Sequence, residues 1–416
     1  MTLRHKSAAA ILFFQMLFIL PAFALLSLRD GAFEPLTLIA VAALVLFNLL
    51  QYNLLRTAFR HIDRFSLLAA QFLWSLGLVV LYRLSPDYGL KQFAFLLVGT
   101  LAMVVAMLLI RKSRDFGRWN WVFMALTLLL LASTLVLGRS TYGARNWIRI
   151  GSFSFQPSEL AKVLFVIVSA YFLSTRHRLL SFIPYLAFTA VCVLLLVAEK
   201  DLGAGLLIAL GFLVMFFAAT GRVLLTGVGL GVLGAGAWGS YHLFAHVRTR
   251  VEVWQDPWSS YQDQGYQIVQ GLMALASGGL LGVGLGRGMP GAIPARHTDY
   301  IFTVIGEEFG IIVGILTIAF YLVFIVRGIL IALHARSVYD AILVFGCTAM
   351  LSLQSFIIIG GVIKLIPLTG VTMPFVSYGG TSILASMIQL GIIEGVAEKN
   401  GRADEEEVEL MGGESL

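Results

Sequence analysis

The sequence predicts an all-α membrane protein that crosses the bilayer about twelve times. The 416 residues are 59% hydrophobic and only 12% charged, whereas soluble domains are usually about one quarter charged. Runs of about 20 apolar residues, the length that a membrane helix needs, recur along the chain. The predicted spans are 8–27, 36–54, 66–83, 91–110, 119–138, 157–175, 181–198, 203–220, 223–245, 300–326, 339–360 and 380–397.

The distribution of positive charge predicts how these spans are oriented. Arginine and lysine favour the cytoplasmic side of short loops, and this bias is consistent when both termini are placed in the cytoplasm. Residues 246–299 then form a long outer loop, and the acidic run 404–409 is expected to be a disordered cytoplasmic tail. Arginines in the outer segments 139–156 and 246–299 run against the bias and suggest an anionic ligand, although long loops are also translocated regardless of charge. They are Arg139, Arg145, Arg149, Arg248, Arg250, Arg287 and Arg296.

One carboxylate in the long outer loop is the candidate for chemistry. Asp256 lies between Trp254 and Trp258, and tryptophan side chains suit the membrane interface, where a lipid-linked substrate would present its head group. The alternative is a structural role, because an Asp followed by Pro257 is a common start of a helix. Spacing alone leaves both interpretations open.

Charged residues inside the apolar spans mark two further positions. Glu159 and Lys162 are spaced i, i+3 and are expected either to pair with each other or to line a polar cavity. Asp299 and Glu307 are eight residues apart, so a helix through both would place them on one face, with Glu308 turned by about 100°. These three acids are interpreted as cavity-lining groups or structural anchors.

Two remaining stretches are rich in small residues. The run 277–291 lacks the Gly-Lys-Ser/Thr of a nucleotide-binding loop, so it predicts a flexible hairpin or a shallow re-entrant turn. The stretch 374–382 predicts a turn or close packing at the start of a span. The sequence contains no metal-binding spacing of His and Cys and no nucleophile elbow, and nothing in it points to a nucleic-acid partner.

Four groups of motifs resemble the SEDS family of bacterial shape, elongation, division and sporulation proteins, which includes RodA, FtsW and SpoVE. They are 143–148 with 156–162; 201–203; 254–258 with 266–267 and 298–308; and 374–382. The similarity covers about 61–398, and the family typically has ten spans. Residues 1–60 therefore form an additional N-terminal pair, and 399–416 form the acidic tail. Asn146, where a second Arg is common, and the additional pair suggest a divergent branch; Lys200 replaces a frequent Pro.

The resemblance implies a peptidoglycan glycosyltransferase of the bacterial cytoplasmic membrane. Such enzymes polymerise lipid II in elongation, division or sporulation, usually with a class B penicillin-binding protein that crosslinks the strands. Asp256 matches the essential carboxylate of the family. The resemblance also suggests a divalent cation, Mg²⁺ or Mn²⁺, although the sequence contains no visible ligand set. Other residues in the matching motifs are expected to contact the substrate: Trp254, Trp258, Gln267 and Ser377. A second group is expected to line a cavity or to serve as structural charges: Asp201, Asp299, Glu307 and Glu308.

Transfer of a sugar from a diphosphate donor needs a base on the acceptor hydroxyl and a group that stabilises the leaving diphosphate. Asp256 is the expected base, and Arg145 with Arg248 or Arg250 is the expected diphosphate clamp. An α-linked donor and a β-linked product imply inversion without a covalent intermediate. The competing hypothesis is a transporter or flippase of a lipid-linked precursor, which should have broken helices at mid-membrane or repeated halves; neither is visible in the sequence.

Overall fold

The chain is almost entirely helical in the residues that the computed structural model describes, which are 2–27, 35–112, 119–141, 144–151, 153–175 and 179–413. The helices are α1 Thr2–Ser27, α2 Pro35–Ala58, α3 Arg64–Leu84, α4 Pro86–Lys112, α5 Asn120–Leu137, α6 Pro157–Thr175, α7 Ile183–Ala198, α8 Leu202–Thr220, α9 Val223–Leu243, α10 Ala245–Gln255, α11 Tyr266–Gly278, α12 Ile301–Leu333, α13 Val338–Val362 and α14 Gly380–Gly413. A small antiparallel sheet in the order β1-β2-β3 consists of Arg139–Thr141, Ala144–Ile150 and Phe153–Phe155.

The helices confirm the predicted polytopic membrane fold. Within the described ranges, eleven helices are long and apolar enough to cross a membrane, and α7 is a shorter apolar helix of 16 residues. Each of the twelve predicted spans coincides with one of these helices. The remaining two helices, α10 and α11, belong to the long loop between α9 and α12. We call the end of the bundle that carries α10 and α11 the loop end, and the end at which α14 finishes the tail end.

Helix α3 lies at the centre of the bundle. Of its apolar membrane-spanning stretch, 94% is buried, because α1, α4 and α12 all pack against it. Helix α14 packs along α4, and the close approach depends on Gly391, where a Cβ atom would lie 2.4 Å from the carbonyl oxygen of Met103. Such small residues at helix interfaces allow membrane helices to approach closely.

The N-terminal helices α1 and α2 are attached to α3 by buried hydrogen bonds. The side-chain amides of Gln15 and Asn48 donate to Ser75 Oγ at 3.0 and 2.9 Å. Trp74 Nε1 donates to Asn48 Oδ1 at 3.0 Å. Polar side chains inside an apolar bundle make interhelical bonds of this kind, which fix the helices against one another.

The acidic C-terminal segment is helical as far as Gly413, so the predicted disorder of this tail is wrong for 399–413. Helix α14 continues without a break beyond its membrane span. Arg336, between α12 and α13, pairs with Asp404 and Glu407 at 2.5 Å each. Lys399 pairs with Asp340 at 2.7 Å. These opposite charges offset the repulsion between the acidic side chains on the extended helix.

Candidate functional site

Asp256 ends helix α10, with its carboxylate exposed at the loop end. Its backbone N–H donates to the carbonyl of Glu252 at 2.9 Å, as expected for the last turn of a helix. Its Oδ1 accepts from the N–H groups of Trp258 and Ser259 at 3.2 and 3.3 Å. The expectation that a helix begins at Asp256 is therefore wrong, because the carboxylate stabilises a turn after α10 and remains accessible to solvent.

The two tryptophans beside Asp256 differ in their surroundings. Trp254 Nε1 donates to the carbonyl of Lys364 at 3.0 Å, and Lys364 Nζ donates to the carbonyl of Gln255 at 3.3 Å. These bonds attach the end of α10 to the segment that follows α13. Trp258, in contrast, is 58% exposed. Lys364 was not considered in the sequence analysis, although it is a basic residue in a segment that was predicted to be outside.

The two arginines of α10 point to different places. Arg250 Nη1 donates to the carbonyls of Leu368 and Thr369 at 3.4 and 3.0 Å. Arg248 Nη2 donates to the carbonyl of His242 at 3.2 Å, and its guanidinium lies 5.8 Å from the centre of the Tyr241 ring. Of these two members of the predicted diphosphate clamp, Arg250 thus reaches the segment between α13 and α14, and Arg248 turns toward α9.

The third residue of the predicted clamp, Arg145, lies in β2, and its side chain is outside the part that the structure describes. The next residue, Asn146, donates from Nδ2 to Asp201 Oδ2 at 2.9 Å. The same oxygen accepts from Gln156 Nε2 at 3.2 Å and from Ser158 Oγ at 3.4 Å, while Asp201 Oδ1 accepts from the N–H of Ala204 at the start of α8. Asp201 therefore fastens the sheet, α6 and α8 together.

Asp299 lies close to Arg250. A Cβ atom on Gly370 would lie 3.7 Å from Asp299 Oδ2 and 3.9 Å from Arg250 Nη2, so both side chains meet at this glycine. Burial raises the pKa of Asp299 to about 6, against the opposing effects of the Thr298 hydroxyl and the Arg250 charge. Because α12 begins at Ile301, Asp299 precedes the helix, and the prediction that it shares a helix face with Glu307 is wrong.

Lys200 and the imidazole of His246 lie in the same region as Arg250. Burial, and then the positive charges of Arg250 and Lys200, lower the pKa of His246, which favours its neutral form. Lys200 is exposed in the turn between α7 and α8, with φ of 61°. His246 was not considered in the sequence, and Lys200 was noted only as a departure from the family. The loop end thus gathers positive charge around Arg250, which suits an anion.

Glu159 and Lys162 form a buried ion pair, as one of the two predicted arrangements required. Lys162 Nζ donates to Glu159 Oε1 at 2.9 Å and to Gln354 Oε1 at 2.8 Å. Gln354 Nε2 continues the chain of bonds to the carbonyl of Thr372 at 2.8 Å, and Thr372 Oγ1 lies 2.6 Å from Ser382 Oγ. The pair therefore connects α6 and α13 to the segment that precedes α14.

Helix α12 is interrupted at Gly310, where φ is 81° and ψ is 176°. The glycine-rich run fits into the interruption: the N–H groups of Val283 and Gly284 donate to the carbonyls of Glu307 and Glu308 at 2.9 and 3.1 Å. The run is thus a hairpin that packs into the interruption of α12. The absence of a broken helix inferred from the sequence is wrong, because glycine inside an apolar span reads as an ordinary membrane residue.

The side chains of Glu307 and Glu308 hold this hairpin as well. Glu307 Oε1 accepts from the N–H of Met289 at 2.8 Å, and Glu308 Oε2 accepts from the N–H of Gly286 at 3.2 Å. Glu308 also pairs with Arg83 of α3 at 2.9 Å, and both side chains are buried. In the described structure these two acids act as structural anchors of the hairpin.

Gln267 and Ser377 also make contacts within the chain. Gln267 Nε2 donates to the carbonyl of Pro294 at 3.4 Å. Ser377 is buried; its hydroxyl donates to the carbonyl of Thr298 at 2.6 Å and accepts from the N–H of Met373 at 2.9 Å. Ser377 therefore fixes the segment before α14 to the residues that lead into α12.

The described residues do not fit a dedicated metal site. Among them no group of three or more His, Cys, Asp and Glu side chains is close enough to hold an ion. Mg²⁺ takes near-ideal octahedral geometry with oxygen ligands, and the carboxylates at the loop end are not gathered in that way. The expected Mg²⁺ or Mn²⁺ has no ligand set in this part of the chain.

The sequence profile of a cell cycle protein family, FtsW/RodA/SpoVE, matches residues 67–402. The chain belongs to this family. The resemblance inferred from the motifs is therefore confirmed. The match begins within α3, so α1 and α2 lie outside it.

Members of the FtsW/RodA/SpoVE family from several bacteria are similar to this chain. The peptidoglycan glycosyltransferase RodA of Mycobacterium leprae (strain TN) is 37% identical over 344 residues, which are 76% of this chain and 74% of that protein. The probable peptidoglycan glycosyltransferase FtsW of Geobacter sp. (strain M18) is 34% identical, over 81% of this chain and 97% of that protein.

Solved structures extend the similarity to the fold. A chain from work on the coordination of polymerization and crosslinking by a peptidoglycan synthase complex superimposes with a TM-score of 0.69 at 27% identity, covering 82% of this chain and 98% of that chain. The rod shape determining protein RodA of Thermus thermophilus superimposes with a TM-score of 0.61 at 28% identity, covering 81% of this chain and 96% of that chain.

Proposed function

We propose that this protein is a peptidoglycan glycosyltransferase that polymerises lipid II into glycan strands at the outer face of the bacterial cytoplasmic membrane. The family match and the names of the relatives give the reaction class. The observation that assigns the chemistry to one residue is the exposed carboxylate of Asp256, which lies at the end of α10 near the exposed Trp258. It lies on the same helix as Arg250, around which positive charge is gathered.

Asp256 acts as the general base in this proposal. It takes the proton from the acceptor hydroxyl, whose oxygen forms the new bond to the anomeric carbon of the donor sugar. The bond from that carbon to the diphosphate oxygen breaks, and its electron pair leaves with the diphosphate. Attack from the face opposite the leaving group inverts the anomeric configuration without a covalent intermediate.

Arg250, Lys200 and Lys364 stabilise the leaving diphosphate in this proposal. Arg250 donates to the carbonyl of Thr369 and Lys364 donates to the carbonyl of Gln255, and the charge of Lys200 acts on His246 at the start of α10. Positive groups that are fixed before the reaction stabilise developing negative charge without having to reorganise. Arg250 can also form two parallel hydrogen bonds to phosphate oxygens, which a lysine cannot.

The orientation and the partner follow from the same proposal. The loop end faces outward and the tail end faces the cytoplasm, with both termini inside, because the short loops at the tail end carry most of the arginines. A class B penicillin-binding protein would crosslink the strands. Support comes from the similarity to a chain of a peptidoglycan synthase complex. The process served is elongation, division or sporulation.

The experiment that tests the proposal replaces Asp256 by Asn in purified protein supplied with lipid II. Asn keeps a side-chain oxygen that can accept from the N–H of Trp258, so the turn after α10 should form, but the base is lost. We expect polymerisation to fall by about 10²–10⁴-fold, with insertion and folding unchanged. The matched control is Asp263→Asn, an exposed carboxylate in the same loop, which should keep most of the activity.

Two results would contradict parts of the proposal. Polymerisation at the parent rate by Asp256→Asn would remove the base assignment and make Asp299, which lies beside Arg250, the next candidate. Failure of the parent protein to make glycan from lipid II, both alone and with a class B penicillin-binding protein, would remove the proposed activity itself.

A further inference from the structure

The interruption at Gly310 divides α12 into two parts that could adopt different relative angles. We call 301–309 the loop-end half and 311–333 the tail-end half. The loop-end half holds the hairpin through Glu307 and Glu308, and it directly follows Asp299. Its orientation therefore determines where Asp299 lies relative to Arg250.

Four phenylalanine rings bridge the interruption. Phe309 is the last residue of the loop-end half, and its ring centre lies 5.6 Å from that of Phe18. Phe18 lies 5.6 Å from Phe72 of α3. Phe72 stacks on Phe320 of the tail-end half at 4.0 Å, with 18° between the planes. The two halves are thus connected through Phe18 and Phe72; the two separations of 5.6 Å are in the usual range for aromatic pairs, and the stacked pair is closer.

Phe18 comes from α1, and polar bonds fix α1 at this position. Gln15 lies three residues before Phe18, so both are on the same side of the helix. Gln15 donates to Ser75, which also accepts from Asn48 of α2. Hydrogen bonds between helices inside a membrane have no water to compete with them, so they hold α1 and α2 on α3.

We propose that the additional N-terminal pair, α1 and α2, serves as a brace that sets the angle between the two halves of α12, with Phe18 as its positioning residue. The family match begins at residue 67, so membership of the family does not assign a role to α1 and α2. By fixing the loop-end half, Phe18 holds Asp299 and the hairpin in place. The effect on activity, but not the effect on the angle, rests on the proposed function.

The angle can be measured directly by the distance between two spin labels in the full chain in nanodiscs. Met289→Cys reports the loop-end half, because its backbone N–H is bonded to Glu307, and Leu333→Cys reports the tail-end half. Both positions are exposed, whereas the native Cys192 and Cys347 are buried. A straight helix from Glu307 to Leu333 would separate the labels by about 40 Å, and a bend at Gly310 would shorten this distance.

We expect one narrow distance distribution in the parent and a shifted or broadened one in Phe18→Ala. Phe18→Leu keeps much of the apolar volume, and therefore the fold, but loses the ring, so it should change the distribution in the same direction. Phe18→Tyr keeps the ring and should match the parent. The control is Phe14→Ala on the same helix, whose side chain is 65% exposed. A parent-like distribution in Phe18→Leu would overturn the proposal.

Activity gives the second measurement. A misplaced site loses rate even when the change is remote, so Phe18→Leu should lower polymerisation of lipid II by between about tenfold and about 10²-fold, and Phe18→Tyr should retain the parent rate. A changed distance distribution with an unchanged rate would overturn the positioning role of Phe18. If the parent makes no glycan, the proposed function fails, while the distance measurement still tests the brace.

Discussion

The buried pair of Glu159 and Lys162 can be tested by removing one partner or both. Lys162→Met leaves the carboxylate of Glu159 without its ammonium partner in the interior of the bundle. Glu159→Ala leaves the ammonium with only Gln354 as an acceptor. The double change Glu159→Gln with Lys162→Met removes both charges and nearly preserves the shapes of both side chains.

The structure sets the size of the expected effects. The two residues are 5% and 2% exposed, and Nζ lies 2.9 Å from Oε1. At an effective dielectric constant of about 20, two unit charges at this distance attract by about 6 kcal/mol. The cost of removing both charges from water is of similar size, so the pair adds little net stability. When one partner is removed, the remaining charge is still buried away from water but has lost its attraction. The expected loss of stability is about 3–5 kcal/mol.

The assay is reversible unfolding of the purified protein in mixed micelles, with the free energy of unfolding compared among parent, single variants and double variant. Each single variant should lose about 3–5 kcal/mol, and the double variant should lose less than either one. Equal and small losses in all three would refute the reasoning, because they would show that both charges remain solvated in the folded protein.

Three further predictions concern the loop end. Arg250→Lys should weaken the use of lipid II, measured as a higher KM in polymerisation, because the two-pronged contact is lost; Arg248→Lys should not, since Arg248 points back to α9. Asp263→Cys should react with a membrane-impermeant thiol reagent from the outside, and labelling only from the cytoplasm would overturn the orientation. Burial raises the pKa of Glu199, in the turn between α7 and α8, to about 8, so its stabilising effect is present below pH 4.5 and is lost as the pH rises through 8. In thermal unfolding, the parent should therefore lose about 3 kcal/mol of stability between pH 5 and pH 8. Glu199→Gln should not show this loss.

The spans could be predicted from the sequence because a membrane imposes a local rule. Each stretch of about 20 apolar residues must satisfy its own backbone, so its position depends on no distant partner. The pair of Glu159 and Lys162 was predictable for a related reason, since a spacing of i, i+3 within one helix already brings the side chains together. Asp256 became the candidate base from its local setting between two tryptophans and from its match to the family motif, and this role stays a prediction.

The rest of the site depends on contacts between distant parts of the chain. Asp299 meets Arg250 at Gly370, and no periodic pattern connects these three positions. The different directions of Arg248 and Arg250 could have been predicted from a helix over 245–255. Side chains two residues apart on a helix are separated by about 200° around its axis. The sequence analysis treated that segment only as an outer loop and so left both arginines as candidates.

The interrupted helix α12 bears on the choice between polymerase and transporter. Transporters use broken helices whose free backbone groups line a central binding site. At Gly310 the carbonyls of Glu307 and Glu308 accept from the hairpin, and the N–H of Ile311 donates to the carbonyl of Gly279 at 3.0 Å. These backbone groups are therefore satisfied within the protein and present no ligands to a transported molecule. The interruption serves to anchor the hairpin, so it gives no support to the transporter hypothesis.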